Sequence, residues 1–318
     1  MLLKITHTTD LNYSDAISES VMELRMVPRQ EQEQHRLSFN LAIGPSTPTL
    51  SYFDWLGNTV HAYTINALHQ QIRIVATSMV EIETVASQPA GDLWPLMLKP
   101  ADYAMRDFLH FHGPVVDSPK LRDVVAQIAP RQGQPLDELA QRIIDLLGDR
   151  FAYQAGVTTA ASPITEMLDH GGGVCQDFTH LMIGVARAMN IPARYVSGYL
   201  HPESDRLRGY TQTHAWCELY FPSRGWVGFD PANRCRANDH FVKLAIGRDF
   251  SDVPPNKGVY RGKAIEQMTV KVHSEELKAI PPELATDRIR ALDMPVLSGA
   301  RPPRHEPQLQ QQEHQQQQ

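Results

Sequence analysis

Apolar and polar residues alternate with a period of two through much of the first 88 residues. The alternating runs begin at Leu3, Met22, Leu37, Ile72 and Val80. Turn residues separate them, as in Gly44-Pro45-Ser46 and Gly57-Asn58. A period of two is typical of half-buried strands, and several short strands at this spacing predict a small β-sandwich domain over residues 1–88.

The pattern changes to a helical period after a proline-rich stretch. Residues 89–100 are predicted to form a linker, because prolines interrupt any regular pattern there. Apolar residues three and four positions apart then mark two helices, through Leu121, Val124, Val125 and Ile128, and through Leu139, Ile143, Leu146 and Leu147. Strand patterns follow at 193–200, 213–221 and 226–229, with a final strand near Met268. Helices first and strands afterwards predict an α+β domain over residues 101–275.

The end of the chain has a different composition. It becomes rich in proline from about Pro281, and residues 305–318 are almost entirely Gln, His and Glu. Such a segment buries too little apolar surface to offset the entropy of ordering it, so residues 281–318 are predicted to be disordered. His305 and His314 are poor candidates for metal ligands, since no cysteine or carboxylate cluster accompanies them.

Composition narrows the class of protein. The hydrophobic fraction of 42% and the charged fraction of 21% are those of an ordinary globular protein. A net charge of −6 gives no electrostatic reason to expect nucleic acid or a membrane surface as a partner. The first residues lack the apolar core of a signal peptide, and Cys175, Cys217 and Cys235 form no CxxC pair. We therefore expect free thiols in a reducing cytoplasm.

The stretch HGGGVCQDFTHL, residues 170–181, contains the strongest chemical signal. Three glycines precede Cys175, and apolar residues at helical spacing follow it until Asn190 and Pro192. Cys175 is therefore predicted in the first turn of a helix. Unpaired backbone N–H groups and the helix dipole favour a thiolate there. The alternative is that Cys175 is a small buried apolar residue, as many free cysteines are.

A thiolate nucleophile needs a base and usually a third group that orients the base. His214 begins one predicted strand and Asp230 ends the next, across a Pro-Ser-Arg-Gly turn. If Asp230 lies opposite Cys217, the two side chains point to opposite faces and cannot meet. An odd-numbered register that places Asp230 opposite Trp216 brings it within reach of His214. Taken singly, His214 is equally well a core histidine and Asp230 a turn residue.

The chain resembles the transglutaminase-like superfamily in its bacterial branch. The resemblance lies in GGGVCQDFTHLMIGVARAMNIPARYVSGYL, in THAWCELYFPSRGWVGFDPANRC and in AIGRDFSDVPPNKGVYRG. The first ninety residues, with LLKITHTTDLNYSD and FDWLGN, are similar to the N-terminal region that precedes this core. The resemblance covers roughly residues 1–275. It implies a papain-like α+β core in which a cysteine-bearing helix packs on an antiparallel sheet.

The resemblance also implies residue roles, with Cys175 as nucleophile, His214 as base and Asp230 as the group that orients the base. Tyr153 matches the family position for a second oxyanion donor beside the Cys175 N–H, but it can equally pack under the glycine loop. Trp216 is a candidate wall for a slot that excludes water, or a core residue. No metal or other cofactor is expected, although Cys175, His214 and Asp230 with a water could hold zinc in principle.

The function implied is a cysteine protease or amidohydrolase that acts on a protein or peptide through a thioester acyl-enzyme. Two alternatives stay open. Transfer of the acyl group to an amine would make the protein a transglutaminase, and the same three residues would serve that reaction. A non-catalytic peptide-binding module on the same fold is the other. The sequence does not predict the oligomeric state.

Overall fold

The computed structural model describes residues 1–84, 91–98, 100–202, 212–297 and 309–312. The four α-helices in these ranges are Pro119–Ile128 (α1), Leu136–Arg150 (α2), Ile164–His170 (α3) and Cys175–Ala188 (α4). The strands are Leu2–Ile17 (β1), Glu19–Leu24 (β2), Gln34–Gly44 (β3), Thr49–Phe53 (β4), Thr59–Ile65 (β5), His69–Ile82 (β6), Leu93–Trp94 (β7), Gln134–Pro135 (β8), Ala152–Tyr153 (β9), Gly172–Gly173 (β10), Ala193–Leu200 (β11), His214–Phe221 (β12), Gly225–Asp230 (β13), Cys235–Arg236 (β14), Phe241–Gly247 (β15), Asn256–Arg261 (β16), Glu266–Glu276 (β17), Arg288–Ala291 (β18) and Leu309–Gln312 (β19). Short 3-10 helices occupy Pro100–Phe108, Phe250–Asp252 and Pro282–Leu284. No helix among these residues is long and apolar enough to span a membrane.

The first unit is built from two five-stranded sheets. One has the strand order β17-β1-β6-β3-β18 and the other β19-β16-β2-β5-β4. Apolar side chains from both sheets form one buried cluster, which includes Leu11, Met22, Leu41, Tyr63 and Ile74. Along β1 the burial alternates strictly from Leu2 to Leu11, because successive side chains of a strand point to opposite faces. The predicted N-terminal sheet domain is therefore confirmed.

Two late strands belong with this first unit, although the sequence pattern placed them in the α+β domain. β16 pairs with β2, as at Val259 and Val21, and β17 pairs with β1, as at Val272 and His7. The expected range 101–275 thus contains two strands of the first unit's sheets. Alternation identifies a strand, but the choice of partner depends on which sheet edge is open, and that is decided in three dimensions.

Residues 281–297 contain regular secondary structure, so the expectation of disorder is wrong for this range. Arg288–Ala291 (β18) pairs in parallel with β3, and Asp287 accepts the Phe39 N–H through Oδ1 at 2.8 Å. All four residues of β18 are exposed. Backbone hydrogen bonds to an open sheet edge thus hold β18 although its side chains are exposed, and composition does not reveal such an edge. Residues 298–308 and 313–318, with His305 and His314, lie outside the described residues.

The predicted linker is also partly structured. Leu93–Trp94 (β7) pairs with β8, and the Trp94 indole Nε1 donates to the Met189 carbonyl at 3.0 Å. Leu96 is buried in the core of the second unit. Residues 85–90 and 99 are outside the described residues. A prolyl segment can pack on a domain surface through its apolar side chains, even where it cannot continue a sheet.

The second unit packs four helices against a sheet of order β14-β13-β12-β11-β15. α1 and α2 form where the helical period predicted them, and Ser118 caps α1 by accepting the Leu121 N–H at 3.2 Å. α4 is buried from Cys175 to Arg187, since α1, α2 and α3 cover it on one side and the sheet on the other. The α+β class is confirmed.

Asn58 and Gln34 are among the polar side chains that join the two units. Asn58 donates to the Ile246 carbonyl and accepts the Ile246 N–H, each at 2.9 Å. Gln34 makes the same paired contact with the backbone of Lys243, at 2.9 and 2.7 Å. Both side chains are buried, and their bonds satisfy backbone N–H and C=O groups of β15, which is the last strand of its sheet. The first unit therefore contacts the same sheet that carries His214.

Candidate active site

The three consecutive glycines bring the chain tightly around to the start of α4. Gly171 ends α3 with φ +74°, in the left-handed region. A Cβ atom at Gly172 would lie 2.6 Å from the Ala152 carbonyl oxygen. A Cβ atom at Gly173 would lie 2.6 Å from Asp177 Oδ2. Side chains at these positions would push Cys175 away from its present place.

Asp177 fixes the first turn of α4. Its Oδ2 accepts the Val174 N–H at 2.8 Å and the Thr158 hydroxyl at 2.7 Å. Burial raises the pKa of Asp177, and these two hydrogen bonds oppose that effect. The Thr179 hydroxyl donates to the Cys175 carbonyl at 2.8 Å. Cys175 thus lies at the predicted helix start, where the N–H of the preceding Val174 and the carbonyl of Cys175 are both hydrogen-bonded. Only 1% of the residue is exposed.

The hairpin of β12 and β13 has the odd register that the sequence argument required. Tyr220 pairs with Trp226 and Cys217 with Phe229, which places Asp230 opposite Trp216. His214 Nε2 and Asp230 Oδ2 are 2.6 Å apart, and neither side chain is exposed. The predicted register is confirmed.

Asp230 makes hydrogen bonds through both of its oxygens. Oδ1 accepts the backbone N–H groups of Ala232 at 3.0 Å and Asn233 at 3.1 Å. Oδ2 accepts from His214 and from the Asn233 side-chain amide, Nδ2, at 2.7 Å. Sequence reasoning missed Asn233. The signal was available as an amide three residues after an aspartate in a turn, a spacing at which side chains often bond to their own turn.

The His214 imidazole interacts with both the Asp230 carboxylate and the Cys175 thiol. Burial by itself would lower the pKa of His214, but the Asp230 carboxylate and hydrogen bonds to Asp230 and Cys175 outweigh it and raise the pKa. The second ring nitrogen, Nδ1, is buried. Because Nε2 is hydrogen-bonded to Asp230 Oδ2, Nδ1 is the nitrogen that can interact with the Cys175 thiol. The arrangement favours an imidazolium beside Cys175.

The other two cysteines have different surroundings. Cys217 packs in the core against α4, and burial raises its pKa. Burial and the nearby Asp230 charge raise the pKa of Cys235 to about 12. Thiols held in the neutral form are poor nucleophiles, so neither is a candidate for the reactive residue.

Tyr153 and Trp216 lie close to the site residues. The Tyr153 backbone pairs with Gly173 in the glycine stretch, and its ring stacks on Phe178 at 6.3 Å. The Trp216 indole is 1% exposed, and its ring lies 6.4 Å from the His214 ring. A role for Tyr153 or Trp216 in the reaction stays a prediction. No group of three or more potential metal ligands is found among the described residues.

Two family models match the chain. Residues 122–231 match the transglutaminase-like superfamily core, and residues 3–81 match the bacterial transglutaminase-like N-terminal region. The first range contains Cys175, His214 and Asp230. The second range covers most of the two five-stranded sheets of the first unit. β16, β17 and β18 join these sheets from much later in the chain.

Two of the similar proteins described next cover more than four fifths of the chain, and a third covers about half. An uncharacterized protein of Mycobacterium leprae is 30% identical over 283 residues, which cover 86% of this chain and 99% of that protein. A protein-glutamine gamma-glutamyltransferase of Pseudomonas aeruginosa is 28% identical over 187 residues, 53% of this chain and 27% of that protein. The crystal structure of a candidate cysteine protease from Cytophaga hutchinsonii has the same fold, with a TM-score of 0.69 at 21% identity over 88% of this chain and 93% of that one. The chain therefore belongs to the transglutaminase-like superfamily and carries the bacterial transglutaminase-like N-terminal region.

Proposed function

We propose that this protein is a cysteine amidohydrolase or peptidase that cleaves amide bonds of a protein or peptide through a thioester on Cys175. One observation carries the proposal. A buried His214–Asp230 hydrogen bond of 2.6 Å leaves the other imidazole nitrogen for a cysteine in the first turn of a helix. A nucleophile, a base and a group that orients the base are the parts that such a reaction needs.

In the acylation step the Cys175 thiolate attacks the amide carbonyl carbon, and a C–S bond forms. The His214 imidazolium then gives its proton to the leaving nitrogen as the C–N bond breaks, so that ammonia or an amine departs. Water attacks the thioester in the second step, and His214 accepts a proton from it. The products are a carboxylic acid and the original Cys–His pair. Asp230 holds the imidazole in the required tautomer throughout.

The developing oxyanion needs hydrogen-bond donors. The first turn of a helix presents backbone N–H groups that have no partner within the helix, and the Cys175 N–H belongs to that turn. The Tyr153 hydroxyl is the proposed second donor, and Trp216 the proposed wall that limits water. If Tyr153 donates, Tyr153→Phe lowers the rate of amide cleavage by about 10-fold to 100-fold while the thiol stays reactive. A packing role alone leaves the rate nearly unchanged.

Acyl transfer to an amine is the second candidate reaction. The Pseudomonas relative, named a protein-glutamine gamma-glutamyltransferase, favours it. Its similarity covers only about half of this chain, whereas the cysteine-protease structure matches the fold over most of it. The same thioester serves both reactions, and the choice depends on whether water or an amine reaches it.

The first test is the rate of Cys175 alkylation by iodoacetamide between about pH 5 and 9, read on the Cys175 peptide by mass spectrometry. A small reagent suits a residue that is 1% exposed. We expect rapid alkylation well below pH 7 and a loss of at least about 100-fold in His214→Ala. Cys235→Ser is the matched control and should leave the profile unchanged. An ordinary thiol profile that ignores His214 would favour the peptide-binding module.

A second test separates hydrolysis from transfer. Glutamine-containing peptides are incubated with the protein, with and without a primary amine, and ammonia and product masses are followed. New carboxylates or shorter peptides support hydrolysis, and amine adducts support transfer. Cys175→Ala must abolish either product.

A further inference from the structure

Asn233 is placed against the same oxygen that holds His214. Its Nδ2 donates to Asp230 Oδ2 at 2.7 Å, while His214 Nε2 contacts that oxygen at 2.6 Å. The two nitrogens are 3.4 Å apart. The orientation of the amide follows from its partner, because a carboxylate oxygen accepts and only the NH₂ end of Asn233 can donate.

The turn after Asp230 fixes the position of Asn233. Asp230 Oδ1 accepts the backbone N–H groups of Ala232 and Asn233, so the carboxylate folds the turn back on itself. The next residue, Arg234, has φ +57° and donates to the Asp145 carbonyl of α2 at 2.9 Å. A non-glycine residue in the left-handed region is held there by its surroundings. Asn233 is thus tied both to the carboxylate and, through Arg234, to a helix of the core.

We propose that Asn233 is a positioning residue that fixes the Asp230 carboxylate, and through it the ring of His214, for the reaction at Cys175. The inference rests on the proposed function and deepens it. Without the Asn233 amide, His214 is the one donor to Oδ2 that remains among the described residues. The carboxylate can then rotate about its Cβ–Cγ bond while Oδ1 stays bonded to the turn. The imidazole then loses the fixed direction that places Nδ1 towards the thiol.

A purely structural role is the competing explanation, since Asn233 also belongs to the turn. The two roles differ in what they change. The backbone N–H of Asn233 donates to Oδ1 and is retained in every variant, whereas the side-chain amide donates to Oδ2. Removing the side chain therefore tests the positioning of Asp230 with the turn's own backbone bonds intact.

The experiment compares Asn233→Ala and Asn233→Ser with the full wild-type chain. A serine hydroxyl lies one bond closer to the backbone than Asn Nδ2, so it cannot restore the bond to Oδ2. Asn238→Ala is the matched control, because Asn238 is exposed and its side chain accepts the His240 N–H in another turn. Two readouts are taken, the pH profile of Cys175 alkylation and the proton NMR signal of His214 Nε2–H. A short hydrogen bond to a carboxylate shifts that signal downfield and protects it from exchange.

We expect both Asn233 variants to lower the alkylation rate at pH 6 by about 10-fold, as for the loss of one hydrogen bond to a charged group. The downfield signal should broaden through exchange in both, with Asn238→Ala unchanged and similar melting temperatures. A wild-type rate and signal in the Asn233 variants would overturn the proposal. If Asn233→Ala does not fold, Asn233→Ser decides. If the wild-type thiol is itself unreactive, the proposed function fails, and the NMR signal still shows whether Asn233 holds the His214–Asp230 pair.

Discussion

Two histidine–aspartate contacts in the described part of the second unit are short and of similar length, but their surroundings differ. His214 and Asp230 are 2.6 Å apart with neither side chain exposed. His112 Nδ1 and Asp249 Oδ2 are 2.5 Å apart, but the His112 side chain is 40% exposed while Asp249 is fully buried. Asp249 also accepts the Ser251 N–H at 2.8 Å and caps a short 3-10 helix.

A short contact between imidazole and carboxylate is therefore no sign of a reaction site by itself. The His214 pair differs through its third partner, a cysteine that affects the pKa of the imidazole. The Asp249 pair secures a turn, and a Cβ atom at Gly113 would lie 2.8 Å from the same carboxylate oxygen. Geometry of three groups is more informative than geometry of two.

The largest expected difference comes from changing each aspartate to asparagine. Asp230→Asn presents an amide to His214 and favours the wrong imidazole tautomer, so the rate of amide cleavage should fall about 1,000-fold to 10,000-fold. Asp249→Asn keeps an oxygen that can cap Ser251, and we expect less than about a 3-fold change. Rates on the same peptide substrate measure both. Equal losses in the two variants would remove the distinction between the pairs.

A buried acid on the same hairpin should affect stability and leave reactivity alone. Glu218 contacts Arg194 and Lys243, each at 2.6 Å. Burial raises its pKa, but the two cations prevail and lower it to about 2. Glu218→Gln removes the buried carboxylate from both cations and leaves Lys243 only a longer contact with Glu31, at 4.0 Å. The change should cost about 3–5 kcal/mol of unfolding free energy at pH 7.

The pH dependence of that loss has a definite sign. Because the pKa of Glu218 is lower in the folded chain, its contribution is present above the ordinary glutamate value and is lost as the pH falls towards about 2. Denaturant unfolding should show wild type and Glu218→Gln converging below about pH 4.5. The exposed Glu138→Gln is the control. If the difference in unfolding free energy between the two proteins stays constant down to pH 2, the pKa of Glu218 is not lowered in the folded chain.

Crowding next to His214 should have a smaller effect on both stability and reactivity. A Cβ atom at Gly198 would lie 2.3 Å from the Trp216 indole and 2.3 Å from the Val242 carbonyl oxygen. Gly198→Ala is expected to cost about 1–3 kcal/mol and to shift the ring beside His214. Thermal melts and Cys175 alkylation measure the two effects. Gly91→Ala, with open space at its Cβ, is the control.

The subtlest distinction is the charge of two buried histidines. Burial lowers the pKa of His180 to about 4, and its Nε2 accepts the Phe250 N–H at 3.1 Å. The pKa of His214 is raised instead. Nitrogen NMR at pH 7 should therefore show both ring nitrogens of His214 protonated and only one in His180. A neutral His214 at that pH would mean that Asp230 and Cys175 do not outweigh burial.

Local patterns predicted much of the site and of the fold. The helical period placed α1, α2 and α4, and the glycines and apolar run placed Cys175 at the start of α4. Strand alternation together with a turn length predicted the register that joins His214 to Asp230. These predictions succeed because side-chain periodicity and turn chemistry depend on residues close together in the chain.

What the sequence by itself determined is thus the identity of the elements and the conjunction of a helix-start cysteine, a histidine and an aspartate. Tertiary structure decided which strands share a sheet, so that β17 pairs with β1 and β18 with β3 across more than 200 residues. It also decided that Asn233 and His214 both contact the same oxygen, Oδ2 of Asp230. Partner choice between distant segments depends on which edges and lone pairs remain unfilled after the rest has folded, and no local pattern records that.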